Sequence, residues 1–160
     1  ARIAIQSALT GHQVFSTLHT NDAAACVTRL LDMGIESYLL TATINAVVAQ
    51  RLVRRLCDEC KAPVQEPDGT DETSSSALGL GAVGCPACDG VGYKGRTTIG
   101  EILLIDSAIR DAILDGADAA KIREVAHQSG ARTMYDDGMV KVRNGLTSAA
   151  EVARVTLGDL

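Results

Sequence analysis

The stretch Leu9-Thr10-Gly11-His12-Gln13-Val14-Phe15-Ser16-Thr17-Leu18-His19-Thr20-Asn21-Asp22-Ala23 holds a strand, a polar loop and a helix start in succession. Val14 to Leu18 is short, β-branched and aromatic, which reads as a buried strand. His19 to Asp22 is polar and ends in Asn21 or Asp22, side chains that accept from the first amides of a following helix. Upstream, Ile3, Ala4, Ala8 and Leu9 recur at helical spacing and stop at Gly11. Downstream, Ala25, Leu30, Leu31 and Met33 predict a helix that stops at Gly34. Ser37 then caps a longer helix expected from Tyr38 to about Leu56. The first 56 residues therefore read helix–strand–helix–helix, an α/β pattern. In open α/β sheets ligands bind at the carboxyl ends of strands. His12 and His19 bracket the strand beside a helix N-terminus, which makes them candidates for an anion or phosphate site.

Beyond residue 56 the character changes twice. Residues 65–84 gather Pro67, Gly69, Gly79, Gly81, Gly84, three consecutive serines and four acids, and predict a mobile loop. Thr97 to Ile105 suits a strand. Helices are expected from near Asp106, over Ala119–Ser129, over Tyr135–Asn144 and from Ser148. There Ser148 and Glu151 form a capping-box pattern. His127 lies in a polar helical stretch and reads as a surface residue.

The 160 residues carry 15 Lys and Arg against 20 Asp and Glu, a net charge of −5. That acidity argues against broad nucleic-acid affinity, which needs a basic face. Charge is uneven: Arg2, Arg29, Arg51, Arg54 and Arg55 outnumber Asp22, Asp32 and Glu36 in residues 1–56. The cluster Arg51-Leu52-Val53-Arg54-Arg55 can meet one anion, or can equally be a solvated helix end favoured by the dipole. No apolar run approaches the roughly 18 residues of a membrane-spanning helix. The N-terminus lacks signal-peptide features and an initiator Met, so the chain reads as an excised piece of something longer. With three Tyr, one Phe and no Trp, the core is expected to be aliphatic.

Cys57-Asp58-Glu59-Cys60 and Cys85-Pro86-Ala87-Cys88 are two C-x-x-C pairs with 24 residues between them. Each pair presents two thiolates from one tight knuckle, and two knuckles complete a tetrahedral zinc site. Disulfides are the alternative, but the absent signal peptide and the odd fifth cysteine favour structural zinc. A closed four-cysteine site has no open coordination position, so the metal stabilises rather than catalyses. Cys26, on an apolar helix face, is expected to be an inert core thiol.

The second knuckle runs on as Asp89-Gly90-Val91-Gly92-Tyr93-Lys94-Gly95-Arg96-Thr97. Gly90, Gly92 and Gly95 match G-x-G-x-x-G, but no strand precedes them and no helix follows, so a dinucleotide site is rejected. The P-loop mimicry of Gly90–Thr97 fails for the same reason, and Arg96 cannot imitate the compact lysine ammonium. C-x-x-C-x-G-x-G also resembles the zinc domain of J-domain co-chaperones, although only one of the two knuckles here carries the glycines. Those glycines are expected to let the backbone fold tightly beside the metal.

The segment from Leu9 to Ala23 resembles the histidine box of the secretion ATPases, the hexameric motors of type II secretion and type IV pilus assembly. The resemblance continues through Arg29–Ile35, Ala49–Cys57, the second cysteine pair, Gly92–Arg96, Glu101–Leu103, Asp137-Gly138-Met139 and Gly145–Val152. It implies an α/β fold: part of a RecA-like (P-loop NTPase) core with the histidine box over 1–56, a tetracysteine zinc subdomain over 57–96 with the flexible loop 65–84, and a mainly helical C-terminal subdomain over 97–160. It implies that His12 and His19 lie near a nucleotide's terminal phosphate, that Arg51 faces the nucleotide, and that Cys57, Cys60, Cys85 and Cys88 are the metal ligands. It further implies a homo-hexameric parent using ATP and Mg2+, partnered by inner-membrane secretion platform proteins, cytoplasmic and peripheral to the bacterial inner membrane.

The chain departs from that pattern in lacking a phosphate loop in a valid setting and an acidic Walker B strand. Those elements supply the amides, lysine and magnesium ligand of phosphoryl transfer. The expectation is a C-terminal fragment of the ATPase that powers type II secretion through pseudopilus assembly, inactive by itself. A type IV pilus assembly ATPase is the alternative within the family. An independent zinc-binding interaction module is the alternative outside it.

Overall fold

The computed structural model of the chain describes residues 1–64 and 79–156. The loop expected over 65–84 lies outside the described residues from 65 to 78. Helices α1 (Arg2–Leu9), α2 (Ala23–Asp32) and α3 (Ser37–Thr43) precede strand β1 (Ala46–Leu56). Short strands β2 (Ala62–Pro63) and β3 (Leu80–Gly81) flank the undescribed segment, followed by a 3-10 turn at Pro86–Cys88 and strand β4 (Tyr93–Leu104). Helices α4 (Ser107–Leu114), α5 (Ala119–Gln128), α6 (Met134–Arg143) and α7 (Ala149–Thr156) complete the chain. β1 pairs with β4, and β2 with β3. Ile105 N–H donates to the Asn45 carbonyl and Cys57 N–H to the Gly92 carbonyl, so β1 and β4 run antiparallel.

Two sequence expectations fail. The helix expected from Tyr38 to Leu56 ends at Thr43, and Ala46–Leu56 is a strand instead. Its burial alternates from Ala46 to Val53 with a period of two, which buries Val53 and leaves Val48 and Leu52 outward. The helix-favouring Ala, Gln, Arg and Leu of this stretch are overridden by tertiary pairing with β4. Val14–Leu18 is not a strand: it is irregular, with Phe15 87% exposed. A strand satisfies its backbone only by pairing, and no described strand lies beside this one.

The chain forms two compact units, the first from Ala1–Ala49 with Glu101–Thr133 and the second from Gln50–Gly100 with Met134–Leu160. In the first, α1 packs on α3, α3 on α4, α4 on α5 and α5 on α2. Its core is aliphatic, as the aromatic-poor composition requires, with Val27, Leu40, Ile109, Ile113 and Ile122 at 2% exposure or less. The helix starts follow their caps: Asp22 accepts from Ala25 N–H, Asp106 from Ile109 N–H and Asp118 from Lys121 N–H. The Glu101 carboxylate adds a second acceptor at the α2 start, taking Ala23 N–H at 2.8 Å.

In the second unit α6 packs on α7, with Val53, Leu56, Ile99, Met134, Val142 and Val152 buried. Gly138 permits the helices to approach, since a Cβ there would meet Val152 Cγ1 at 2.5 Å. Ser148 Oγ caps α7 by accepting Glu151 N–H. The buried Glu151 carboxylate reaches the end of β1, accepting from Arg54 N–H at 3.1 Å and Arg54 Nη2 at 2.6 Å, and also from Arg154. Tyr93 lies under the Arg54 guanidinium at 4.1 Å and shares a hydrogen bond with Ser148.

Candidate metal centre and the histidine segment

The first knuckle starts where β1 stops. Cys57 N–H is tied to Gly92 O, and the Cys60 and Lys61 amides both donate to Cys57 O, closing a tight turn. The second knuckle begins at extended Cys85 and winds through the 3-10 turn that Pro86 opens. Asp89, at φ 54°, reverses the chain, and Gly90 N–H donates back to Cys85 O.

These turns bring four sulfurs together. Cys57 Sγ and Cys85 Sγ are 3.9 Å apart, Cys60 Sγ and Cys88 Sγ 3.8 Å, and Cys85 Sγ and Cys88 Sγ 3.8 Å. All four lie within 4.8 Å of one another. Four sulfurs about 2.3 Å from a central zinc stand about 3.8 Å apart at the corners of a regular tetrahedron. A disulfide requires about 2.05 Å, and all five cysteines are free. The set therefore fits a tetrahedral thiolate metal centre of the size zinc takes. It is the one such cluster of His, Cys, Asp and Glu among the described residues.

Cys57 and Cys88 are buried, Cys60 and Cys85 half-buried. Backbone amides point at two of the sulfurs: Gly84 N–H at Cys60 Sγ (3.3 Å), and Cys85 and Gly92 N–H at Cys88 Sγ (3.2 Å each). Burial pushes the Cys88 thiol up, but the amides of Cys85 and Gly92 outweigh it and bring it down to about 7. Burial dominates at Cys60, which is pushed up to about 12 despite the Gly84 amide. Several thiolates held this close repel unless a cation sits among them.

The remaining predicted site residues lie elsewhere. His12 is exposed in the irregular segment after α1, its Nδ1 3.1 Å from Thr10 Oγ1. His19 is exposed and stands three residues before Asp22, the α2 cap. Asp22 is itself held by Arg123 at 2.6 Å. Arg51 is half-buried on β1 rather than at a helix end. Cys26 is half-buried on α2 with its thiol pushed up by burial, and His127 is exposed on α5. The sequence reading missed the Glu101 acceptor at α2 and the Arg54–Glu151–Arg154 cluster. The Ala23–Glu101 and Arg54–Glu151 contacts join residues 78 and 97 positions apart, which no local pattern marks; only the Glu151–Arg154 pair has local helical spacing.

Residues 1–154 match the family model described as "Type II/IV secretion system protein". The chain is 47% identical over 156 residues to the type II secretion system protein HxcR of Pseudomonas aeruginosa, covering 98% of this chain and 31% of that protein. It is 48% identical over 163 residues to the type II secretion system protein E of Xanthomonas campestris, covering 98% of this chain and 29% of the relative. It is 43% identical over 164 residues to the type IV pilus assembly ATPase PilB of Thermus thermophilus, covering 98% and 18%. The chain thus spans less than a third of the length of these relatives. Its fold is similar to the crystal structure of the pilus retraction motor PilT with bound ADP, at TM-score 0.64 and 20% identity, covering 96% of this chain and 35% of that one. The chain belongs to the type II/IV secretion system protein family.

Proposed function

We propose that this chain is the C-terminal part of a motor ATPase that powers type II protein secretion through pseudopilus assembly. The observation that carries this reading is the joining of two features in one chain matched over 1–154. One is a segment bearing His12 and His19 ahead of a doubly capped helix start, and the other is a four-sulfur cluster. In the whole protein, His12 and His19 meet the terminal phosphate of ATP, as donors that sense its presence. Arg51 adds a guanidinium on the nucleotide side. The nucleotide's Mg2+ and the attacking water need acidic groups and a phosphate loop that these 160 residues do not contain, so the segment alone does not hydrolyse ATP. Exposed Ile3, Leu9 and Phe15 support packing of the first unit against further protein.

The ion at Cys57, Cys60, Cys85 and Cys88 is zinc, in a structural role. It supplies folding free energy and no open coordination site. The three-part division at residues 56 and 96 assigns nucleotide contact, metal stapling and helical support in that order. The working assembly is a homo-hexamer on the cytoplasmic face of the inner membrane, engaging the membrane platform proteins. Among the described residues no helix is long and apolar enough to cross a membrane itself. The Gly84–Cys88 knuckle followed by Gly95-Arg96-Thr97 favours the secretion branch over pilus assembly.

The test is complementation with the full-length protein that carries this segment. Restored export in a type II secretion mutant, lost with His12→Ala or His19→Ala while protein level is kept, is the expected outcome. Rescue of pilus assembly alone would move the chain to the pilus branch. Unchanged ATP hydrolysis in both histidine variants would remove the phosphate role.

A further inference from the structure

Gly84 and Gly92 stand apart from the other glycines of the metal region. Both have positive φ, 108° and 74°, where side chains other than hydrogen are strained. Neither has room for one. A Cβ on Gly84 would lie 2.3 Å from the Gly90 carbonyl oxygen, and one on Gly92 would lie 2.6 Å from Ala82 Cβ. Both amides end on sulfur, Gly84 N–H on Cys60 and Gly92 N–H on Cys88.

Their connections cross between the two cysteine pairs. Gly84 directly precedes Cys85 of the second pair yet donates to Cys60 of the first. Gly92 donates to Cys88 of the second pair, and its carbonyl accepts Cys57 N–H from the first at 3.0 Å. A divalent ion with four thiolates leaves two negative charges in a half-buried site. Directed amide dipoles disperse such charge and orient the sulfurs.

We propose that Gly84 and Gly92 are positioning residues of the metal centre: their backbone amides, held where only glycine fits, lock the Cys60 and Cys88 sulfurs and join the two knuckles. This rests on the four cysteines holding a metal, as proposed above. Gly95 provides the contrast. It has a similar φ of 77°, but nothing lies within 4 Å of its would-be Cβ. Gly84→Ala and Gly92→Ala are each expected to weaken metal retention about 10- to 100-fold in chelator competition. They also shift the sulfur-to-cobalt charge-transfer bands of the cobalt-loaded protein. Gly95→Ala keeps both the affinity and the spectrum.

The unmutated protein offers a measurement independent of folding defects. Loaded with an NMR-active cadmium isotope, it is expected to show scalar coupling between the metal and the amide protons of Gly84 and Gly92, transmitted through the sulfurs. Cadmium bound without coupling at either glycine overturns this inference while leaving the metal centre standing. Failure to bind cadmium overturns both. Loss of affinity in Gly95→Ala equal to that in the other two variants also overturns it, since backbone strain alone would then account for the effect.

Discussion

Glu151 is a charged side chain with no solvent exposure, and it is charged because its partners surround it. Burial pushes its carboxyl up, but hydrogen bonds from Arg154, the Arg54 side chain and the Arg54 amide more than reverse this and hold it at about 2. The value lies below the ordinary 4.5, so the stabilisation is present in full above pH 4.5 and is lost as pH falls toward 2. The shift corresponds to something on the order of 3 kcal/mol. Glu151→Gln, which leaves two arginines facing a neutral amide, is expected to cost a similar amount at pH 7. Urea midpoints from pH 2 to 7 check this: the native chain falls away below pH 4.5, and the difference between the two proteins shrinks toward pH 2. A constant difference across that range would show that the charge on Glu151 contributes nothing. At the neighbouring scale of a single cap, Asp22→Ala is expected to cost about 1 kcal/mol. Amide exchange should locate the loss at the start of α2, around Ala23–Ala25.

The elements were legible in the sequence where a local signal agreed with packing. Helices α4, α5 and α7 follow Asp106, Asp118 and Ser148, whose side-chain oxygens satisfy the first amides, and the sequence places each start within a residue of where it lies, with a capping pattern read at Ser148. The cysteine pairs were readable because a metal knuckle needs its ligands at short fixed spacing. β1 was not, because its Ala, Gln, Arg and Leu are good helix formers interleaved with strand-favouring Val47, Val48 and Val53, and pairing with β4 decides for the strand. Val14–Leu18 failed in the other direction: with no strand beside it among the described residues, β propensity alone leaves irregular chain. The amides of Gly84 and Gly92 were invisible for another reason, being backbone groups whose aim depends on the folded turn. Packing between elements makes its own prediction at Gly138. Gly138→Ala sets a Cβ against Val152 and should cost about 1–3 kcal/mol in overpacking, opposed by about 1 kcal/mol of helix propensity. In a Val152→Ala background the clash is gone, and the same substitution should be neutral or stabilising. Equal effects in both backgrounds would show that α6 and α7 do not meet there.

At the scale of the whole molecule the chain is two units with different means of support. The first rests on an aliphatic core of Leu40, Ile109, Ile113 and Ile122. Among the described residues the second has fewer large buried side chains, and it holds the four-sulfur cluster, where a bound metal would supply what the small core does not. Chelation is therefore expected to release amide protection in residues 50–64, 79–100 and 134–156 first. Residues 1–49 and 101–133 should keep theirs under the same conditions. Simultaneous loss in both units would mean that the metal holds the entire chain. All of this depends on the cysteines being thiolates around one ion rather than a redox pair. Metal content and X-ray absorption on freshly purified protein test that claim most directly. One zinc per chain, surrounded by four sulfurs at about 2.3 Å, is the expected result; protein without metal, with Cys57, Cys60, Cys85 and Cys88 paired as disulfides, would contradict it.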